Sequence, residues 1–377
     1  LLIKKFVMPR ENVFLISENS FSFLFIYAGL VINKNIVYLI DRSIKEDKFN
    51  ILQNAHKPKF IFYPKEFQKN INLSNSKFID KRYLISSTNY NYNYNFQKSI
   101  SILLSTSGST GSPKFVKLSY LNIKDNTKKI SDYLNIKSTD RTITTMECNY
   151  SYGMSIINTH LFRGASIVLT KKNFFDKSFW ILMHKLKVTS FSGVPFAFEI
   201  LNKIKFYEKK LPYLKTVTQA GGKLNNNILL KFIKLFKLKK INFFSMYGQT
   251  EASPRMSYLK WKNNESKIGS IGKPLKEGKF FIYDKDKKRI KKNYQVGELV
   301  YQGKNVMLGY ANNIQDLRKS KKLKLLFTGD LGYKDKDGFY FISGRKNRII
   351  KMNGLRYSLD EIEKELNQIG YNCAVKE

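Results

Sequence analysis

The chain opens by switching between two apolar rhythms. A short run, Val13, Phe14, Leu15 and Ile16, precedes a helix-length apolar segment over residues 21–32 and a second short run over 36–40. Short apolar runs suit strands buried on both faces and the longer one suits a helix packed on them, so the pattern predicts a β-α-β unit. A short helix over 49–55 then leads to strand-like Phe60, Ile61, Phe62 and Tyr63, stopped by Pro64. Residues 89–95 alternate Tyr and Asn, which predicts an exposed loop, with an edge strand as the alternative. The strand-like stretch 101–104 runs straight into small hydroxyl residues and glycines.

Beyond it, strands over 167–169, 214–218 and 241–245 alternate with helices over 179–186 and 226–236. Such alternation predicts an α/β fold with largely parallel sheets. Over 268–344 the rhythm changes to short strands punctuated by Gly297, Gly303, Gly309, Gly332 and Gly338, which predicts an antiparallel, barrel-like subdomain. A helix over 358–368 and strand-like residues 372–375 follow.

Composition narrows the class. With 377 residues, 42% of them hydrophobic, the chain can bury a large core and has room for two or three domains. The apolar run 21–32 is too short to cross a bilayer and is interrupted by Ser22 and Gly29. The first ten residues lack the apolar stretch and cleavage site of a signal peptide. Cys148 and Cys373 give neither a disulfide framework nor a zinc spacing, so the expected compartment is the reduced cytoplasm. A net charge of +38 would attract polyanions. The lysines are spread along the whole chain, however, and Lys, Asn, Ile, Phe and Tyr are frequent together, as in a very AT-rich coding sequence. Codon bias is the preferred explanation, with a basic nucleic-acid-binding protein as the weakest of three functional hypotheses, since no zinc-finger or RNA-motif signature occurs.

The chemistry concentrates in Ser105-Thr106-Ser107-Gly108-Ser109-Thr110-Gly111-Ser112-Pro113-Lys114. Backbone N–H groups and hydroxyls in such a loop converge on phosphate oxygens, glycines allow close approach, and Lys114 adds a mobile positive charge. The Walker-A loop is excluded by spacing, because Ser112 and Pro113 stand between Gly111 and the lysine. With this loop the sequence resembles the adenylate-forming (AMP-binding) superfamily of acyl-CoA synthetases, peptide-synthetase adenylation domains and luciferases, whose signature looks like T-S-G-S/T-T-G-x-P-K. Further motifs match in order: Met246-Tyr247-Gly248-Gln249-Thr250-Glu251, Gly297-Glu298-Leu299 with Gly309-Tyr310, Phe327-Thr328-Gly329-Asp330, and Gly344-Arg345-Lys346-Asn347-Arg348 with Gly354.

The resemblance implies a large N-terminal domain over 1–343, built of two αβ layered subdomains plus the barrel-like part. A hinge and the start of a small α+β C-terminal domain would follow over 344–377. It implies ATP-dependent activation of a small-molecule carboxylic acid as an acyl-adenylate, releasing pyrophosphate, then transfer to the thiol of CoA or of a carrier-protein pantetheine. Ser107, Ser109, Thr110 and Lys114 would hold the β- and γ-phosphates, with Thr106, Gly108 and Gly111 shaping the loop. Thr250 would donate to the α-phosphate, Glu251 would bind Mg²⁺, and Tyr247 would stack on adenine beside Gly221 and Gly222. Asp330 would accept the ribose hydroxyls, with Arg345 in support. Tyr150, Ser151 and Gly193 fall in segments that line the acyl pocket, and Asn347 stands at the hinge. Amino-acid-activating relatives carry a carboxylate where Ser151 falls, which disfavours a free α-amino acid. Residues 351–357 lie where relatives admit pantetheine. Relatives continue beyond the position of Glu377 to a lysine used in adenylation, so the expectation is a fragment, a split gene or a decayed copy. A non-catalytic nucleotide- or acyl-binding remnant is therefore the second hypothesis.

Overall fold

The computed structural model describes residues 3–377 apart from 70, 72, 74, 91–94, 106–113, 263, 320–322, 347–348, 353–354, 369–370, 372 and 375–377. Strands β1 (Asn12–Ile16) and β2 (Ile36–Ile40) are buried at every position, as continuous apolar runs require in a sheet covered on both faces. Helix α1 (Phe21–Ile32) joins them, its first turn capped by the Ser20 hydroxyl, which accepts from the Phe23 amide at 3.3 Å. Helix α2 (Glu46–His56) leads to β3 (Phe60–Pro64), then β4 (Ser76–Phe78), β5 (Tyr83–Ser87), β6 (Ile100–Ser105) and β7 (Phe115–Ser119). Helix α3 (Tyr120–Tyr133) starts in a capping box between Ser119 and Asn122. Residues 91–94 of the expected loop lie outside the described residues; the flanking 89, 90 and 95 carry no strand.

The middle of the chain gives β8 (Arg141–Ile143), α4 (Ser151–Phe162), β9 (Ser166–Val168), α5 (Lys177–Lys185), β10 (Ser190–Gly193), α6 (Pro195–Lys203), β11 (Thr216–Gln219), α7 (Asn226–Leu238) and β12 (Asn242–Gly248). The remainder is β13 (Arg255–Lys260), β14 (Ser270–Pro274), β15 (Lys279–Tyr283), β16 (Arg289–Ile290), β17 (Gly297–Gln302), β18 (Tyr310–Ala311), β19 (Leu326–Lys334) and β20 (Tyr340–Arg345). A hairpin of β21 (Ile349–Met352) and β22 (Leu355–Ser358) and helix α8 (Leu359–Gln368) end it. Cys373 and Ala374, within the strand expected at 372–375, carry no strand, and residues 372 and 375 are outside the described set.

Two large mixed sheets result. The eight-stranded sheet runs β18-β7-β6-β2-β1-β3-β5-β4, and the twelve-stranded sheet runs β16-β15-β17-β19-β20-β14-β13-β12-β11-β10-β8-β9. Each is parallel over one run of strands, β6-β2-β1-β3 in the first and β9-β8-β10-β11-β12 in the second. The expectation of largely parallel sheets is therefore corrected. The connections from β6 to β7 and from β12 to β13 are too short for a crossover, so the chain must reverse. The antiparallel segment expected over 268–344 is present, but its strands extend the twelve-stranded sheet instead of closing into a barrel.

One core joins the first sheet to that antiparallel arm, with Val13, Leu15, Val37 and Leu104 packed in the same cluster as Phe280, Leu299 and Tyr301. A second core packs α5, α6 and α7 on the parallel strands through Phe179, Phe198, Leu201, Phe232 and Phe243. Between these cores β12 meets the arm through β13 and β14. Lys117 on β7 locks the following segment, its Nζ donating to the carbonyls of Asp316 at 2.6 Å and Lys319 at 2.7 Å. No helix among the described residues is long and apolar enough to cross a membrane.

Buried ionisable groups make the fold acid-sensitive. His56 is fully buried, its Nδ1 is 3.1 Å from the Tyr38 hydroxyl, and among the described residues its Nε2 has no hydrogen-bond partner. Burial lowers its pKa to about 4. The folded state thus binds fewer protons than the unfolded state between about pH 4 and 6.5, so stability rises with pH across that window. Urea unfolding at pH 7 and pH 4.5 is expected to differ by about 2 kcal/mol from this group, and His56→Gln is expected to flatten that part of the profile.

Candidate active site

The site is assembled at the ends of β12 and β19, where turns deliver polar side chains to one place. On β12 the register shifts between Tyr247 and Gly248, and the chain folds back so closely that a Cβ on Gly248 would lie 2.0 Å from the Pro254 carbonyl oxygen. No side chain fits there, and the turn it permits projects Gln249, Thr250 and Glu251 from the sheet end.

Asp330 on β19 is the centre of the cluster. Its carboxylate is 4% exposed and accepts from the Tyr247 hydroxyl at 2.5 Å, the Gln249 amide at 3.0 Å and Arg345 Nε at 3.0 Å. The Gln249 amide also donates to the Thr328 carbonyl at 2.8 Å. Burial, then the adjoining Asp330 charge, pushes the Tyr247 hydroxyl well above the ordinary tyrosine value, so it stays a donor at neutral pH. One residue along, Lys346 pairs with Glu298 at 2.8 Å. The segment leading to the expected hinge is thus tied to two carboxylates of the arm. Asn347 lies outside the described residues.

Thr250 donates to the Ser151 hydroxyl at 3.2 Å, joining the β12 turn to the first turn of α4. Glu251 accepts from the Tyr310 hydroxyl at 2.9 Å, and the Lys114 ammonium sits 4.1 Å from the centre of the Tyr310 ring. Tyr310 reaches this position because the two-residue strand β18 pairs with β7, setting Tyr310 opposite Val116. Burial, then Glu251, raises the Tyr310 hydroxyl, which stays protonated and donating. The expected phosphate-loop residues Thr106, Ser107, Gly108, Ser109, Thr110 and Gly111 lie outside the described residues. Their far boundary, Lys114, is joined to Glu251 through that ring.

The expected acyl-pocket segments also converge. Gly221, at φ +88°, has the Tyr150 hydroxyl and Val194 against it, and a Cβ there would lie 2.9 Å from that hydroxyl. Gly222 faces Pro195 and receives the Gln219 amide on its carbonyl at 2.8 Å. Gly193 is closed in by Ala197 and Phe198, and Ser151 is buried at the start of α4. Replacing Gly221 by Ala is expected to cost about 1–3 kcal/mol, because a side chain would be held at positive φ. A lower urea midpoint together with weaker ATP binding in titration would show it.

Tyr247, Thr250, Glu251, Asp330, Arg345 and Lys114, the residues expected from the motifs, lie in one region of the fold. Gln249, Tyr310 and Glu298 join them without having been expected there, although all three lie inside the matched motifs. His56 and His160 are buried, and His184 lies in the last turn of α5.

The model of the AMP-binding enzyme family matches residues 1–311. The oxalate–CoA ligase of Saccharomyces cerevisiae is 28% identical over 311 residues, covering 80% of this chain and 55% of that protein. The 2-succinylbenzoate–CoA ligase of Bacillus cereus is 30% identical over 273 residues, covering 71% and 54%. Among solved structures, the O-succinylbenzoate–CoA synthetase of Bacillus subtilis in complex with ATP and magnesium ion superposes with a TM-score of 0.74. It shares 21% identity over 97% of this chain and 76% of that one, a likeness of fold. The chain spans about half the length of the curated relatives it matches.

Proposed function

The chain belongs to the AMP-binding enzyme family, and on that premise we propose that it activates a carboxylic acid with ATP as an acyl-adenylate, releasing pyrophosphate. The observation that carries this reading is the gathering of Tyr247, Gln249 and Arg345 on one buried carboxylate, Asp330, beside the Thr250–Ser151 and Glu251–Tyr310–Lys114 contacts. The second step would pass the acyl group to the thiol of CoA or of a carrier-protein pantetheine. Support for CoA comes from the relatives, which are named CoA ligases for oxalate, long-chain fatty acids and 2-succinylbenzoate.

In the first step the acid's carboxylate attacks the α-phosphorus and pyrophosphate leaves. Neither reactant needs deprotonation near neutral pH, so the task is to align two anions and offset charge at phosphorus. Asp330 would hold the ribose hydroxyls with Arg345 beside it. Tyr247 would lie against adenine along Gly221 and Gly222. Thr250, at the seam between β12 and α4, would donate to the α-phosphate, while Lys114 and the loop 106–111 hold the β- and γ-phosphates. A single carboxylate, Glu251, with one hydroxyl donor on it, suits Mg²⁺, which favours one or two protein oxygens plus phosphates. When bound, Mg²⁺ supplies Lewis-acid stabilisation of phosphate charge. Tyr150, Ser151 and Gly193 would border the acid. A neutral hydroxyl at Ser151 gives an α-ammonium no charged partner there, which disfavours a free α-amino acid.

The same reading assigns residues 1–343 to the large nucleotide-binding domain and 344–377 to a hinge around Asn347 with the first part of the small domain. Residues 351–357 would lie along the thiol's approach, and the setting is the cytoplasm. Calorimetry tests it: the protein should bind ATP with Mg²⁺ and should catalyse acid-dependent ATP–pyrophosphate exchange across a panel of acids. Loss of both ATP and acyl-adenylate binding would refute the proposal.

A further inference from the structure

Behind the site, a cavity of about 240 Å³ lies between α3, α4 and the face of β10, β11 and β12. Its inner wall is made by Tyr152, Ser192 and Met246, each next in sequence to a residue already placed at the site: Ser151, Gly193 and Tyr247. Tyr152 and Ser192 both meet the Thr218 hydroxyl at 2.7 Å, so this wall is fixed. The same wall carries a charge that nothing in the nucleotide chemistry uses.

That charge is Arg255. It begins β13, directly opposite Gly248, and is 2% exposed. Its backbone is held on both sides: the amide donates to the Asn126 side chain at 3.0 Å, and the carbonyl accepts from Asn126 and Asn305, each at 2.8 Å. Its side chain lines the cavity, and among the described residues Nε and Nη2 have no hydrogen-bond partner. Its neighbours are neutral: the Tyr152 ring lies 4.8 Å from the guanidinium carbon, and the Tyr133 hydroxyl beside it donates to Met246 Sδ at 2.8 Å. A ring face offsets part of the cost of burying a guanidinium, and the Tyr133 hydroxyl lies within hydrogen-bonding reach of it, but Nε and Nη2 are left for a further acceptor. Burying a charge without a counterion is costly, and a planar fork of this kind fits a carboxylate through two parallel hydrogen bonds. The outer end of the cavity is also cationic. Lys137, Lys215 and Lys260 line it, and the one carboxylate among the described lining residues, Asp140, is already paired with Lys215 at 3.2 Å.

We propose that Arg255 receives the far carboxylate of the acid, making the substrate a dicarboxylic acid whose near carboxylate meets Thr250 and whose far one enters the cavity. This rests on the adenylation reading for the near end, whereas the far end rests on Arg255 alone. The neutral wall of Tyr152, Ser192 and Met246 suits an uncharged spacer between the two carboxylates.

The test pairs acids of equal length, succinate with butyrate, glutarate with pentanoate and adipate with hexanoate, against the full chain. Two readouts are used: calorimetric binding without nucleotide, and ATP–pyrophosphate exchange. Wild type is expected to prefer one or more dicarboxylates over their partners. Arg255→Met is expected to weaken that dicarboxylate by at least about 30-fold while changing its monocarboxylate partner little. Arg255→Lys, which keeps the charge but loses the fork, should retain part of the preference. Because the variant removes a buried charge without a counterion, the ligand-free melting temperature of Arg255→Met should hold or rise, whereas an arginine with a structural role would lower it. A wild-type preference for monocarboxylates, no dicarboxylate binding, or a preference that survives Arg255→Met overturns the assignment. Arg255-dependent dicarboxylate binding with no exchange for any acid would support this assignment and contradict the adenylation reading; exchange with monocarboxylates alone would do the reverse.

Discussion

Replacing Glu251 by Gln is expected to lower acid-dependent pyrophosphate exchange by about 100- to 1000-fold at saturating ATP, the scale of losing one well-placed electrostatic stabiliser of a developing charge. The fold should survive, because the glutamine carbonyl oxygen can still accept from the Tyr310 hydroxyl that meets Glu251 at 2.9 Å. A hard cation loses its charged oxygen ligand, so the half-maximal Mg²⁺ concentration should rise as the rate falls. Exchange measured over a Mg²⁺ series, with a urea melt alongside, separates the two effects. An unchanged Mg²⁺ dependence would remove Glu251 from the proposed role.

Replacing Asp330 by Ala is expected to act on both binding and stability. Hydrogen bonds to a charged acceptor contribute about 1.5–3 kcal/mol each, so losing the acceptor for two ribose hydroxyls should weaken ATP by at least about 100-fold. The same change takes the acceptor from the part-buried Tyr247 hydroxyl and one of two acceptors from the Gln249 amide, at a further cost to folding of about 1–3 kcal/mol. The ion pair with Arg345 adds little, since that side chain is 65% exposed. Asp330→Asn keeps an oxygen for Tyr247 and should recover much of the stability, but not the ATP affinity. Titration of ATP into both variants, with denaturant melts, would show whether the two properties separate.

The residues in these two predictions were legible because each stands in a short contiguous motif whose geometry is local. A turn after β12 presents Thr250 and Glu251 whatever the rest of the chain does, and the sequence around it shows as much. Tyr310 is different. It was visible within a matched segment, but its bridge from Lys114 to Glu251 depends on a two-residue strand pairing across almost two hundred positions with β7. No local rhythm encodes that pairing. Arg255 was less legible still, since a charged residue after a proline reads by default as solvated, and only the packing of α3 and α4 shows that it is not.

The fold shows the same division. Helix α1 and the buried strands β1, β2 and β3 followed from apolar rhythm, while strand direction did not. Direction is set by the length of the connection, and the short links after β6 and β12 were the available signal that both sheets would turn antiparallel. The glycine-punctuated region likewise announced antiparallel strands, but whether such strands close on themselves depends on what packs on them. Here the core of the first sheet takes up one face, through Phe280, Leu299 and Tyr301.

The central claim is that a carboxylate oxygen attacks the α-phosphorus of ATP. It is tested most directly by supplying an acid that supports exchange, labelled with ¹⁸O in the carboxylate, together with ATP, Mg²⁺ and CoA, and analysing the products by mass spectrometry. The expected products are AMP carrying one ¹⁸O and unlabelled pyrophosphate. Unlabelled AMP, or label in inorganic phosphate with ADP as the other product, would contradict it.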